Sequence, residues 1–454
     1  MSKIVTGTDD GIAFPQDQED ELNLILRGGD DTFEVQWDPE AKVTPNGSLV
    51  FFAHYLNTGG LFDQLCEGSP IQYKSNNAPK FRDVWGTVLL AVLNGQTRYA
   101  HINRLRCDQV AAELLGMNKI TCEDSVRNAF KKGTEEEWKT WLIKQERSVF
   151  EALLTEKYIL DIDNTVKPLY GHQEGAEVSY NPKKPGRPSH NNHTYFIGAL
   201  RVVLGVDVLP GKQHASSHGA PALWQLIDSL SPSSRPWLMR GDCGYGTDNM
   251  MTEAEKRVLK FLFKLKQTSR VKAQIRKLEA KSGAWSDAGE GWQGAECMLQ
   301  LTGWLHARRC IVLRRTVQQE AAAKEMLTPA QSSEFIFMEE VKSAPNYEYS
   351  VLITNLDLPI SSFGQLYRDR ADCENVFDEI KNQWGWCGFV TRDLKRCRIM
   401  ARIIALVYNW WNIFCRLATP EQHMEAATSR PRLLHALGRL VYTGRKKIIR
   451  LTCM

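Results

Sequence analysis

The sequence predicts an α/β protein: an all-helical N-terminal region, a mixed core, and a β-rich insertion that splits the core before two late helices complete it. Three observations predict this. Apolar residues within 79–159 recur at helical spacing. At Tyr158 the period changes to two in YILDIDNTV, after which strand-like and helix-like segments alternate. Residues 269–355 then interrupt that alternation with basic, Gly- and Trp-containing sequence carrying further strand-like pieces. At 454 residues the chain exceeds one compact core, and roughly two to four units are expected. They divide as an acidic, partly irregular segment 1–75, a helical region 76–157, a first core part 158–268, the insertion 269–356, a second core part 357–420 and a basic segment 421–454.

Residues 1–40 hold 11 acidic and 2 basic side chains and read as a loosely ordered lead-in. The helical region follows in FRDVWGTVLLAVLNG, HINRLRCDQVAAELLGMN and EEEWKTWLIKQERSVFEALLTEKY. Within it, DQVAAELLGMNKITCEDSVRNAFKK has the form of a helix-turn-helix. One helix ends near Leu115, the turn is Gly116-Met117-Asn118, and a second helix opens at Glu123 or Asp124. That second helix would present Arg127, Asn128, Lys131 and Lys132 to a groove or to phosphates. A helical hairpin with no nucleic-acid role is the competing reading.

YILDIDNTV reads as a core strand because Ile159, Leu160, Ile162 and Val166 flank its acids. Side chains alternate along a strand, so Asp161 and Asp163 share a face, and two buried carboxylates call for a cation. YNPKKPGRPSHNNH reads as a loop stiffened by Pro182, Pro185 and Pro188. Its Lys183, Lys184 and Arg187, with no acid between them, suit a minor-groove contact, and a rigid connection is the alternative. TYFIGALRVVLGVDVLPGKQHA reads as two strands joined at Gly205, PALWQLIDSLS as a helix, and SRPWLMRGDCGYGTDN as a strand ending at Arg240-Gly241-Asp242. An acid at the carboxyl end of a strand, opened by glycines, is where α/β sheets place reactive groups. A short helix opens at a Thr252/Glu255 capping box, and VLKFLFKLKQ is a fifth strand. Strand-like pieces of the insertion are LTGWL, RRCIVLRR, SEFIFMEEV and YSVLITNL; RIMARIIALVYNWWNIF should form a helix packed on the sheet.

The net charge of +4 conceals segregation. Residues 256–281 carry 10 Lys/Arg against one acid, and 391–450 carry 13 against 3. Such blocks imply a polyanion, nucleic acid before membrane, since neither shows an apolar opposite face with anchoring aromatics. The longest apolar-looking run, 403–414, contains Asn409 and Asn412 and falls short of the ~20 residues that cross a bilayer. MSKIVTGTDDG has no apolar signal core, so a cytoplasmic, nucleoid-associated location is expected. The 11 cysteines form no CxxC pair and read as reduced thiols. The pairs His190/His193 and His214/His218 lie in loop-like sequence and are assigned to loop hydrogen bonding.

The stretch the chain is organised around is YRDRADCENVFDEIK, 367–381. On one helix, at about 100° per residue, Tyr367, Arg370, Glu374 and Lys381 fall within roughly a 60° arc. A hydroxyl, a guanidinium, a carboxylate and an ammonium on one face suit phosphodiester chemistry. A solvated face with an Arg370–Glu374 pair is the alternative reading.

Asp161 or Asp163 on a first strand, Asp242 ending a fourth, a β-rich insertion and Glu374 on a late helix together resemble the ribonuclease-H-like core of DDE transposases. Tyr367, Arg370, Glu374 and Lys381 match the Tyr-(2)-Arg-(3)-Glu-(6)-Lys signature of bacterial insertion-sequence transposases. LDIDNT, YNPKKPGRPSH and RGDCGYG are similar to the insertion-sequence family numbered thirteen-eighty. The resemblance implies a cut-and-paste enzyme that cleaves transposon ends and transfers their 3′-hydroxyls into target DNA. It implies Asp163, Asp242 and Glu374 as ligands of two Mg²⁺ (or Mn²⁺) ions, set about 4 Å apart to clamp attacking and leaving oxygens. Asp163 is preferred over Asp161 because Thr165 completes the family's Asp-x-Thr pattern, and Asp161 stays a supporting candidate behind it. Asp378, near the Glu374 face, is disfavoured by the signature spacing. Tyr367, Arg370 and Lys381 would hold the terminal backbone, and Trp292 or Trp304 would take an unstacked base. The implied partners are double-stranded DNA, as terminal inverted repeats and target, and a second copy of the chain on paired ends. A domesticated DNA-binding protein and a nuclease of the same fold are the alternatives; three intact acids count against the first.

Overall fold

The computed structural model describes residues 24–28, 31–35, 38, 40–179, 181, 184–213, 215–316, 347–386 and 388–452. Two units are distinguished, 1–42 and 43–454. The first holds an antiparallel hairpin of Leu24–Gly28 and Asp31–Val35 within the stretch expected to be loosely ordered.

The second unit is organised on a sheet of ten strands among the described residues. Ile159–Pro168 lies at its centre, antiparallel to Pro188–Ile197 on one side and parallel to Leu238–Gly241 on the other. Val202–Pro210 lies antiparallel beyond Pro188–Ile197, and Lys260–Lys264 parallel beyond Leu238–Gly241. In chain order the strands therefore run third, second, first, fourth, fifth, the ribonuclease-H-like arrangement. The parallel neighbours are reached through crossovers, as parallel pairing requires.

The insertion continues this sheet. Tyr347–Thr354 pairs antiparallel with Lys260–Lys264, and Arg308–Thr316, Gln293–Leu299 and Ser286–Asp287 follow outward. It opens with a helix, Ser269–Glu279, whose Val271, Ile275 and Leu278 are buried at helical spacing. LTGWL forms a turn, and SEFIFMEEV lies outside the described residues.

The early helices do not make a core of their own. Leu49–Thr58, Phe81–Leu93 and Glu135–Phe150 share one hydrophobic cluster with Phe377, Trp384 and the long helix Leu394–Ala418. The 1–75 segment thus contributes packed helices, and the basic C-terminal hairpin Gly438–Thr443/Lys446–Leu451 pairs with Val43–Thr44. Amphipathic spacing shows that a helix has a buried face and not which face it meets.

Leu394–Ala418 also seals the exposed side of Val202–Pro210. Asn409 donates to the Val203 carbonyl at 2.7 Å and accepts from its N–H at 2.9 Å, while Arg398 and Arg402 donate to the carbonyls of Val208 and Val206 at 2.8 and 3.0 Å. Side chains thereby replace the missing neighbour strand of an open edge. Part of the 391–450 positive charge is spent this way inside the fold.

Three local expectations are corrected. His190 and His193 are buried on the strand Pro188–Ile197, not in a loop. The polar run SHNNHT hides a strand because its buried side chains are polar and hydrogen-bonded, Asn191 donating to the Gly211 and Gln213 carbonyls at 2.8 and 3.1 Å, so the apolar alternation that marks a strand is missing. The turn after it falls at residues 198–201, with Arg201 at positive φ, and Gly205 lies inside the next strand. The helix expected from Thr252 begins at Asp248, and Thr252 accepts from Arg308 at 2.9 Å.

Candidate active site

Strand register assembles the site. Ile162 pairs with Gly241 as the last parallel partners of their strands. Asp163 and Asp242 therefore take the next position on two adjacent strands, at the carboxyl edge of the parallel part of the sheet. Asp242 is half-buried as a residue, and its carboxylate accepts the Gly244 N–H at 2.9 Å at the surface. Gly241 is needed there, because a Cβ would stand 2.9 Å from Ile162 and 3.1 Å from Tyr245. Tyr245 is buried below, and that burial, with Asp242 nearby, raises its phenol well above the usual range.

The 367–381 stretch is two helices, Ile360–Arg368 and Ala371–Gln383, correcting the single helix expected. At the junction the Arg370 N–H bonds the Tyr367 carbonyl at 3.1 Å, a tightened three-residue turn. Tyr367 lies in the last turn of the first helix, Glu374 and Lys381 lie on the second, and Arg370 stands at the break. Arg370 is turned inward, its side chain 5% exposed, with Nη2 at 3.0 Å from Asp163 Oδ1 and Nη1 at 3.5 Å from Glu374 Oε1. One guanidinium thus bridges carboxylates 207 and 4 residues away in sequence.

Asp161 and Asp163, which strand parity could not separate, occupy different environments. Asp161 is 1% exposed and accepts both arms of Arg240, at 2.7 and 2.8 Å. Asp163 is 17% exposed and faces Arg370. The third arm of Arg240 donates to the Leu366 carbonyl at 2.6 Å. Arg240 was missed in the sequence. The available signal was an arginine two residues before Asp242 on an otherwise apolar strand, which demands a buried acid partner.

Among the described residues no three of His, Cys, Asp and Glu stand close enough to cage a metal ion. Carboxylate oxygens such as those of Asp163 and Glu374 are the donors a hard divalent cation takes, and a cationic guanidinium lies between these two.

The other expected contacts are placed as follows. Lys264 lies 6.0 Å over the Tyr367 ring, and Lys381 is half-buried. Lys184 and Arg187 lie over the exposed Tyr170 ring at 4.9 and 4.8 Å, while Lys183 is outside the described residues. Arg127 is engaged by Glu123 and Asp124 of its own helix at 3.1 and 3.5 Å. That helix, Glu123–Ala129, ends before Lys131, which is exposed in the following turn. Trp292 packs under Arg315 at 5.0 Å and Trp304 by Arg308 at 5.7 Å.

Among the described residues no helix is long and apolar enough to cross a membrane. No curated protein matches the chain. A piggyBac transposase, in a synaptic complex with hairpin DNA, aligns over 84% of this chain and 78% of its own, at 11% identity and a TM-score of 0.46. The family described as transposase DDE domain group 1 matches residues 42–453. The chain belongs to this family of DDE transposases, enzymes that move DNA by metal-dependent polynucleotidyl transfer.

Proposed function

We propose that this chain is the transposase of an insertion-sequence element of the family numbered thirteen-eighty, with Asp163, Asp242 and Glu374 holding two Mg²⁺ or Mn²⁺ ions. The observation that carries this reading is the Arg370 bridge, in which positive charge already sits between Asp163 and Glu374 at 3.0 and 3.5 Å. Bound there, divalent ions supply Lewis-acid stabilisation of the attacking and leaving oxygens and lower the pKa of water.

The chain's own residues do the rest. Asp163, within the central strand, and Asp242, just past the end of its neighbour, fix one side of the site, and Glu374 brings the other from the helix. Arg370 turns from the carboxylates to a non-bridging phosphate oxygen, with Tyr367 and Lys381 on flanking phosphates. Lys184 and Arg187, splayed by Tyr170, hold DNA beyond the reacting bond. A second copy brings the other end, so that cutting and joining act on paired terminal repeats and then on target DNA.

The test is cleavage and joining of linear duplexes ending in the element's own repeats. Asp163→Asn, Asp242→Asn and Glu374→Gln should each abolish Mg²⁺-dependent cutting and leave duplex binding intact. Normal cutting by one variant removes that residue from the site; cutting by all three ends the assignment.

A further inference from the structure

We propose that Arg240 is the positioning residue that sets the mutual placement of Asp163, Asp242 and Glu374; this rests on those three being the metal ligands. The three acids arrive on separate segments; Arg240 lies on one of them and its side chain is hydrogen-bonded to the other two. It lies on the Leu238–Gly241 strand, two residues before Asp242 and on the same face. Nε and Nη2 donate to the two oxygens of Asp161 at 2.7 and 2.8 Å, two residues before Asp163 on the neighbouring strand. Nη1 donates at 2.6 Å to the carbonyl of Leu366, in the helix that leads through the break to Glu374.

The third bond is specific to the break. In an unbroken helix the Leu366 carbonyl would accept the Arg370 N–H. Here that N–H goes to Tyr367, while the Asp369 N–H goes to Gln365. A helix end leaves such carbonyls to be taken up by other groups, and Arg240 takes this one. The two strands are already held in register by their backbones. The helix has no such ladder to the sheet, so Arg240 on the Leu366 carbonyl, together with Arg370 on Asp163, holds where Glu374's helix starts. A planar guanidinium fixes three acceptors in one plane; an ammonium fixes none of their angles. The side chains of Arg240 and Asp161 are 4% and 1% exposed, so water does not loosen the arrangement.

A merely structural ion pair and a positioning pair respond differently to replacement by apolar residues of similar size. Swapping both partners of a buried pair often leaves stability unchanged, whereas removing one strands a buried charge. The test uses the full chain as the Asp161→Leu/Arg240→Met double variant, with Arg240→Lys as a second variant that keeps the charge and loses the fork. Mn²⁺ affinity is read from the paramagnetic resonance signal of free Mn²⁺, alongside thermal melting and the Mg²⁺ concentration for half-maximal end cleavage.

The expected result for both variants is cooperative melting with Mn²⁺ affinity and Mg²⁺ dependence weakened on the order of 10- to 100-fold, the usual loss when support behind metal ligands is removed. A folded variant with wild-type Mn²⁺ affinity overturns the proposal. Asp163→Asn separates the two levels. Unchanged Mn²⁺ affinity in that variant means the ligand assignment itself fails. Loss there, combined with wild-type affinity in the Arg240 variants, means that only the role of Arg240 fails.

Discussion

Replacing Arg370 by Met should tighten divalent metal binding in the absence of DNA. Arg370 Nη2 donates to Asp163 at 3.0 Å with 5% and 17% of the two side chains exposed, a charge-assisted bond worth about 1.5–3 kcal/mol. The Glu374 contact, at 3.5 Å with that carboxylate 40% exposed, adds about 0–1 kcal/mol after solvent screening. A cation entering between these carboxylates must break the first bond. Removing the guanidinium should therefore tighten Mn²⁺ binding on the order of 10- to 100-fold, at about 1.4 kcal/mol per decade. Without metal the two carboxylates would lose their shared counter-ion, so Arg370→Met should melt below wild type and regain stability as Mn²⁺ is added. Titration followed by the resonance signal of free Mn²⁺, with parallel melting curves, measures both effects. Weaker Mn²⁺ binding by Arg370→Met would refute the reasoning, because the guanidinium would then be helping to hold the ligands for the metal.

Three further outcomes are expected. Asn409→Leu removes both partners of the buried Val203 peptide, and at about 1–3 kcal/mol per stranded group should destabilise the fold by about 2–6 kcal/mol in urea unfolding; a loss below about 1 kcal/mol would show the edge is sealed otherwise. Burial pushes the His193 imidazole down to about 4, so the fold favours its neutral form. The resulting stability is present above about pH 6.5 and is lost as pH falls toward 4, up to about 3 kcal/mol, and His193→Asn should flatten unfolding free energy against pH in that window. If Lys184 and Arg187 each neutralise one phosphate, replacing both by Ala should reduce the salt slope of duplex binding by about 2, and an unchanged slope would make their loop structural.

Much of the candidate site's geometry was legible because it depends on local constraints. Asp161 and Asp163 sharing a face follows from strand geometry, and Asp242 at a strand end follows from the glycines around it. An apolar helix over 398–414 was plain from its composition, and the structure extends it to 394–418. The insertion read as β-rich, but period-two patterning carries no information about which strand lies alongside, so its continuation of the core sheet was not visible. The same limit hid the merger of the helical region with the late helices, since apolar stripes from either source are chemically alike.

By itself the sequence determined which residue types stand at strand ends and at turn spacing, because backbone sterics and side-chain alternation act over a few residues. It also determined that positive charge is concentrated in the 256–281 and 391–450 blocks. Only the tertiary structure decided how that charge is used. Arg398, Arg402 and Arg240 turn inward to satisfy carbonyls and a carboxylate, Arg127 is held within its own helix, and Arg370 lies across Asp163 and Glu374. The break at residues 369–370 is likewise met by a contact from outside the helix. A guanidinium from a distant strand takes the Leu366 carbonyl there, and spacing along the chain carries no trace of a partner 126 residues away.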